Sequence, residues 1–439
     1  MKRFSLSFFL IIVFSLSCIM PLNAQFKNLK NKLKEAAESA GKSVLGGEEE
    51  KKQPSNQPFN QTPSPESASP GNVKGKKLTP PKVTDHLNNA NSAISANQLS
   101  NARFEVKEAM RGVELEIGYG ILDAMPKTVS DIESNLDEDV VYSTGIGFVG
   151  LVIKRYYGER LEATIGDNSM MGASYSMMLN SSYASNDGNH KNVVVQDNRG
   201  VITFDGNNTY KLGIPLGQSS IFIIECNQCG GEEDLMDAAN DFKLADFIDL
   251  LTDSKSEGVM EKDVTAALSS ASSNYDSKNL QATRSDLQNS LTAIDLQIGK
   301  LILAMLPEQL GGLDAVATND EYVANSAGFA GVYIKRVYKS TDQSKRIEIN
   351  LVDDSPMMGM VGGFLSSPLL VGMSGKKTIS IDGFKGMYEE QEEDGSKEFK
   401  INIPSNQSML SMIFVGVEEA IVTKLANQVP VGDIFAITK

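Results

Sequence analysis

GFVGLVIKRYY at residues 147–157 returns as GFAGVYIKRVY at 328–338, with seven of the eleven positions identical. The spacing is 181 residues, and VELEIGYGILDAMP (113–126) recurs as IDLQIGKLILAMLP (294–307) at the same spacing. Most of the chain is therefore written twice. A residue that carries shared chemistry should stand in both copies, and one present in a single copy needs its own reason. Within the opening pair, Val149, Leu151 and Ile153, like Ala330, Val332 and Ile334, fall on alternate positions. That period of two predicts a strand with one buried face. The face runs on to Arg155 and Arg336, while Lys154 and Lys335 point the other way.

Working outward, the preceding segments change period. Val106, Met110, Val113, Ile117 and Ile121 share one helical face, and Leu287, Leu291, Ile294, Ile298 and Ile302 repeat that register. Each long helix closes a predicted helical hairpin, and Pro126 and Pro307 stop it. Beyond the opening strand, Leu161, Ala163 and Ile165, and Ile347, Ile349 and Leu351, alternate with polar residues. VITF (201–204), YKLGI (210–214) and IFIIE (221–225) match TISI (378–381), FKINI (399–403) and LSMIFV (410–415). A shared IP-x-x-QS (214–219 and 403–408) sets their alignment, and one closing helix is predicted over about 232–251. Its apolar stripe is Leu235, Met236, Ala239, Phe242 and Phe247. Helices, strands and a closing helix in that order predict an α+β class: two tandem copies of a helical hairpin plus antiparallel sheet with flanking helices.

The first 24 residues read as a secretory signal. Lys2 and Arg3 precede an apolar core, and Ala24 offers a small residue before cleavage. The rival is lipidation at Cys18, which lacks a leucine three residues before it. Residues 25–46 place Phe26, Leu29, Leu33, Ala36, Ala40 and Val44 on one helical face, with five lysines against Glu35 and Glu38. Such a basic amphipathic helix fits an anionic membrane surface or an envelope partner, or is a solvated terminal helix. Residues 47–82 are rich in proline, serine and asparagine and predict a disordered linker. The copies then occupy 83–251 and 264–439, joined by a linker at 252–263.

The formal net charge is −15, and loss of Lys2 and Arg3 would leave the mature chain two units more acidic. That balance excludes general nucleic-acid binding, because phosphates would be repelled. Beyond the leader no apolar run reaches the ~20 residues a spanning helix needs.

Several residues invite chemistry. Asp167 and Asp353, each followed closely by serine and methionines (GDNSMMG, VDDSPMMG), are either helix caps or acids with Ser169 and Ser355 as partners. Met170, Met171, Met177 and Met178, with Met357, Met358 and Met360, are soft donors of the kind that suit Cu(I), or gap-filling apolar residues. Cys226 and Cys229 form a CxxC between a strand and a helix, absent from the second copy. It is either a local disulfide or a redox pair. His86 and His190 have no counterparts, which excludes a histidine-dependent triad common to both copies. Arg155 and Arg336 are the duplicated candidates for gripping an anionic ligand, or else neutralise a local acid.

With the MP/LP helix ends, the IKR-x-Y strands and DSPMM in view, each copy resembles a family of uncharacterised exported proteins of the Gram-negative envelope. The second copy, with Asp354-Ser355-Pro356, matches more closely than the first, where Met170 stands in the proline position. The resemblance implies a secreted α+β domain loosely similar to PsbP-like folds, and brings no catalytic residues. The expectation is a non-enzymatic, periplasmic or outer-membrane-associated binding or scaffolding protein. It needs no cofactor, and its small-molecule ligand is undefined. The alternative is a thiol-redox or Cu(I)-handling periplasmic protein.

Overall fold

A computed structural model describes residues 79–438, apart from 144–149, 168–188, 205, 207, 218, 252–262, 325–330, 355–376 and 394–395. The class is α+β, with antiparallel sheets. The N-terminal half opens with a helical hairpin, α1 (Val83–Ser95) and α2 (Leu99–Ala124). The C-terminal half opens with α5 (Val264–Asp276) and α6 (Leu280–Met305). Each hairpin turns through a left-handed residue, Asn97 (φ 55) or Lys278 (φ 60). The amides of Gln98 and Asn279 then reach back to the carbonyls of Ala93 and Asn274. This is the Schellman closure of a helix end. Acids on the long helices pin the hairpins. Glu105 bonds His86 (2.7 Å), and Asp286 bonds Ser270 (2.5 Å) and Asn274 (2.8 Å).

Each long helix leads into a short hairpin, β1 (Thr128–Val129) with β2 (Ile132–Glu133), or β10 (Gln309–Leu310) with β11 (Leu313–Ala315). The N-terminal sheet then comprises β3 (Val140–Ser143), β4 (Leu151–Tyr157), β5 (Leu161–Asp167), β6 (His190–Val195), β7 (Asn198–Phe204), β8 (Thr209–Leu216) and β9 (Ser220–Asn227). Its spatial order is β3-β4-β5-β9-β8-β7-β6. The C-terminal sheet adds β12 (Glu321–Ala324), β13 (Val332–Lys339), β14 (Arg346–Asp353), β15 (Lys377–Ile381), β16 (Phe384–Glu393), β17 (Ser396–Ser405) and β18 (Ser408–Val415). They lie in the order β10-β11-β13-β14-β18-β17-β16-β15, with β12 also paired to β13.

Register explains the core. Ile153 faces Ile165, which faces Phe222, which faces Ile214. Ile334, Leu351, Leu410 and Ile403 make the same row in the second sheet. All eight are buried, together with the α2 stripe and all of the α6 stripe but Leu291, which is partly buried. At ~25 cal/mol per Å² of apolar surface removed from water, such rows dominate the stability of each half. The next position along the same face is Asp167 or Asp353, paired with Leu151 or Val332. Both carboxylates are therefore drawn below the helices, each 0% exposed.

Two expectations need correction. The closing segment over 232–251 is two helices, α3 (Glu232–Asn240) and α4 (Leu244–Leu251). The break turns Phe242 into the core against Tyr157 and Phe222. The Gln196 amide fills it, donating to the carbonyls of Asn240 and Phe242 and accepting from Leu244 N–H. The C-terminal counterparts are α7 (Glu419–Ala426) and α8 (Val431–Ile437), where Asp382 accepts from Gly432 N–H (2.7 Å). The IP-x-x-QS alignment also slips by one residue. Leu216 pairs with Ser220 across the N-terminal turn, whereas Ser405 pairs with Ser408 across a shorter one. The extra residue sits beside Gly217 (φ 74), so Ser220, not Ser219, occupies the place of Ser408.

Candidate functional site: the polar seam between the halves

Arg155 and Tyr157 lie two apart on β4 and point into the same face. The Arg155 guanidinium grips Asp139 through both oxygens (3.0 and 2.6 Å) and donates to the Met125 carbonyl (3.0 Å). Tyr157 donates to the next carbonyl, Pro126 (2.9 Å). The second half repeats this arrangement. Arg336 holds Asp320 (3.0 and 2.6 Å) and the Leu306 carbonyl (2.9 Å), and Tyr338 donates to Pro307 (2.8 Å). These are the free carbonyls where the chain leaves each long helix.

The recurrence of MP/LP and IKR-x-Y thus has one cause, a lock between helix end and strand. Burial works to depress the Arg155 pKa, but Asp139 raises it overall; at Arg336 the bond to Asp320 leads the increase. Burial pushes the Tyr338 hydroxyl up to about 12, so the donor stays protonated. Both forks are directed at internal acceptors, the arrangement expected of arginines that each neutralise a local acid. A cleft of about 640 Å³ lies over the Arg155–Asp139 pair, lined also by Tyr119, Leu122, Lys127 and Leu136.

The two aspartates at the strand ends are buried, and the segments they were expected to cap lie outside the described residues. Asp353 accepts from Ser408 (2.5 Å) and from Arg103 Nη1 (2.6 Å), and Arg103 lies on α2 of the other half. Asp167 accepts from Ser220 and from Arg284 on α6, again across the halves. Each arginine also bonds the far half's last helix: Arg103 the Thr438 carbonyl (3.2 Å), Arg284 the Leu251 carbonyl (3.0 Å). One turn earlier, Ser100 bonds the Ile437 carbonyl and Gln281 the Leu250 carbonyl (3.0 Å). Cations and donors at a helix C-terminus satisfy its free carbonyls and its dipole. The two sets of bonds exchange roles as across a two-fold axis, the mark of an isologous interface.

The seam has a heavier end. Around Asp353, Arg103 Nη1 also reaches Asp295 (3.2 Å), and Lys107 pairs with Asp354. Burial pushes the Asp295 carboxyl up to about 7, with Arg103 opposing and Asp354 adding to the rise. Burial alone would lower the Arg103 pKa, but Asp353, Asp354 and Asp295 raise it well above the usual guanidinium value. Around Asp167, the residue equivalent to Asp295 is Glu114, which accepts a bond from Ser143 Oγ.

Cys226 and Cys229 are joined in a disulfide, Cα atoms 5.8 Å apart, flanking Gln228 in a left-handed turn (φ 59). Both are buried, and α3 begins just beyond them with Glu232, Glu233 and Asp234. The corresponding turn of the second half uses Gly416 (φ 69) between buried Phe414 and Val417. His190 begins edge strand β6. Residues 25–46, Ser169, Ser355 and the seven methionines of the Cu(I) reading lie outside the described residues. Among the described residues no cluster of three or more His, Cys, Asp or Glu is disposed to hold a metal ion.

The seam arginines are the residues sequence reading missed. Arg103 and Arg284 do recur at the common spacing, which was a usable signal. Their partners lie 250 and 117 residues away, beyond any local pattern. No protein-family model, curated protein or solved structure matches the chain.

Proposed function

We propose that this is a non-enzymatic exported protein of the cell envelope that binds or scaffolds a partner. In this reading the halves are two copies of one α+β domain, and residues 25–46 are a basic helix on a disordered tether. One observation carries the non-catalytic part: the polar side chains kept in both halves close upon the fold itself. The Arg–Asp–Tyr locks and the Arg–Asp–Ser seam hold helix ends and strand ends in place. A site built for substrate would keep convergent groups turned towards a cleft.

The attachment part rests on charge. A net acidic chain with one lysine-rich amphipathic segment suits an anionic surface only through that segment. Thiol chemistry gains no support, because reactive cysteines need exposure and positive surroundings. Here the pair is buried and followed by three acids.

The test is co-sedimentation of residues 25–439 and 47–439 with vesicles of zwitterionic lipid, with and without anionic lipid. The longer chain is expected to sediment with anionic vesicles, losing the association in high salt, and the shorter one to stay in solution. Equal behaviour of the two removes the helix from the reading. Envelope fractionation of the full chain tests export independently, and its retention in the cytoplasm sinks that part.

A further inference from the structure

At the heavier end of the seam, three carboxylates meet two cations. Asp295 on α6, Asp353 at the end of β14 and Asp354 just beyond it face Arg103 and Lys107 on α2. Ser408 on β18 and the Thr438 carbonyl complete the polar ring. Arg103, Asp295, Asp353 and Asp354 are all buried. Gly331 closes the space: a Cβ there would stand 2.8 Å from Asp354 Cβ and 3.2 Å from Asp295 Oδ2.

Asp353 takes the short bond from Arg103 and Asp354 takes Lys107, so Asp295 is left with the longer arm of a shared guanidinium. At the other end of the seam, Glu114 has the Ser143 hydroxyl. The position equivalent to Ser143 is Ala324, on the matching edge strand, and it has no hydroxyl to give.

We propose that this cluster is a pH-sensitive clasp between the two halves: with Asp295 protonated it is neutral and holds the seam shut, and with Asp295 ionised its surplus buried negative charge loosens the seam. A buried ion without a partner of its own is costly, and the cost falls when the group takes up a proton. The groups facing Asp295 are Arg103 and Lys107 from α2 and the Asp353–Asp354 pair at the end of β14, the same four whose charges act on its titration near pH 7. In the unfolded chain an aspartate titrates near 3.9, so the folded state binds the extra proton between about pH 4 and 7. Stability from this group is therefore full below the unfolded value and declines as pH rises towards 7. The slope approaches tenfold in the unfolding constant per pH unit, and levels off above 7.

The experiment uses residues 25–439 with two readouts. First, urea unfolding is followed from pH 5 to 8.5 for the wild type, Asp295→Asn and Glu114→Gln. Relative to D295N, the wild type should lose stability as pH rises to about 7, close to tenfold per unit, while E114Q keeps the wild-type slope. Subtracting D295N cancels pH effects common to both proteins. Second, 13Cγ shifts of labelled aspartates are titrated in the wild type, and one resonance should move between pH 6 and 8. Ala324→Ser, which restores the hydroxyl, should shift that titration to lower pH. Parallel pH profiles for wild type and D295N overturn the proposal. Should D295N not fold, the absence of any aspartate titrating above pH 6 overturns it.

Discussion

The two ends of the seam use the same parts to different effect. Each buries a strand-end aspartate beneath a serine hydroxyl and an arginine from the opposite half. At the Asp167 end, Glu114 accepts a separate bond from Ser143. The Asp353 end adds Asp295, Asp354 and Lys107, and by the sequence spacing the positions equivalent to the last two are Asn168, outside the described residues, and Gln288. The difference teaches that the shared arginine–aspartate bridge positions the halves, while the additional charges at one end are free to serve a separate purpose.

The strongest way to break the comparison is to remove an arginine. Arg103→Met leaves Asp353 and Asp295 buried against one remaining cation, and should destabilise the protein by about 3–5 kcal/mol at pH 8. Arg284→Met takes the arginine from Asp167 and should cost less. Denaturant midpoints of the two variants check the order, and an R284M loss equal to R103M would erase the distinction between the ends.

The next effect compares the left-handed turns after β9 and β18. Reducing the Cys226–Cys229 bridge should cost about 2 kcal/mol by chain entropy for so short a loop. The buried Phe414 and Val417 occupy its place in the second half without a covalent bond. Cys226→Ser with Cys229→Ser, measured by thermal unfolding, should match the reduced protein; no loss at all would mean that burial alone holds this turn. Smaller again is the lock behind IKR-x-Y. Tyr157→Phe and Tyr338→Phe each delete one hydroxyl donor to a proline carbonyl. Each should cost about 1 kcal/mol, and by similar amounts, since the geometry is the same.

These cases show what local pattern can and cannot reveal. The core stripes of α2 and α6 and the alternation of β4 and β13 were legible because each follows one period along one element. Arg155 and Arg336 were visible as a recurring pair on the buried face, yet their partners were not, because Asp139 and the Met125 carbonyl are brought to them by tertiary folding. The closing helix was read as continuous because Phe242 and Phe247 keep an apolar stripe through the break. Gln196, from a distant turn, supplies bonds that span the break. Pro430 marks the equivalent break in the second half, where the backbone has no amide to continue a helix. The seam was the least legible, since its bonds exchange between copies and a repeat read copy by copy conceals contacts made across it.

The finest test of the two ends is to turn one into the other. Lys107→Gln with Asp354→Asn gives the heavier end the amides that Gln288 and Asn168 carry at the equivalent sequence positions. One positive and one negative group leave together, so the surplus carboxylate of Asp295 against Arg103 remains. Asp354 sits at φ 57, a left-handed conformation that asparagine tolerates as readily as aspartate. The double variant should therefore change stability by less than about 1 kcal/mol and keep the pH response. Asp354→Asn alone removes one of the two carboxylates that add to burial in raising the Asp295 titration, and leaves two cations facing two acids. Its pH response should shrink while the double variant's persists. Urea unfolding of the two proteins at pH 5.5 and 8 separates these outcomes. Equal responses would mean that burial alone sets the Asp295 titration, and that the charge count at this end of the seam has no part in it.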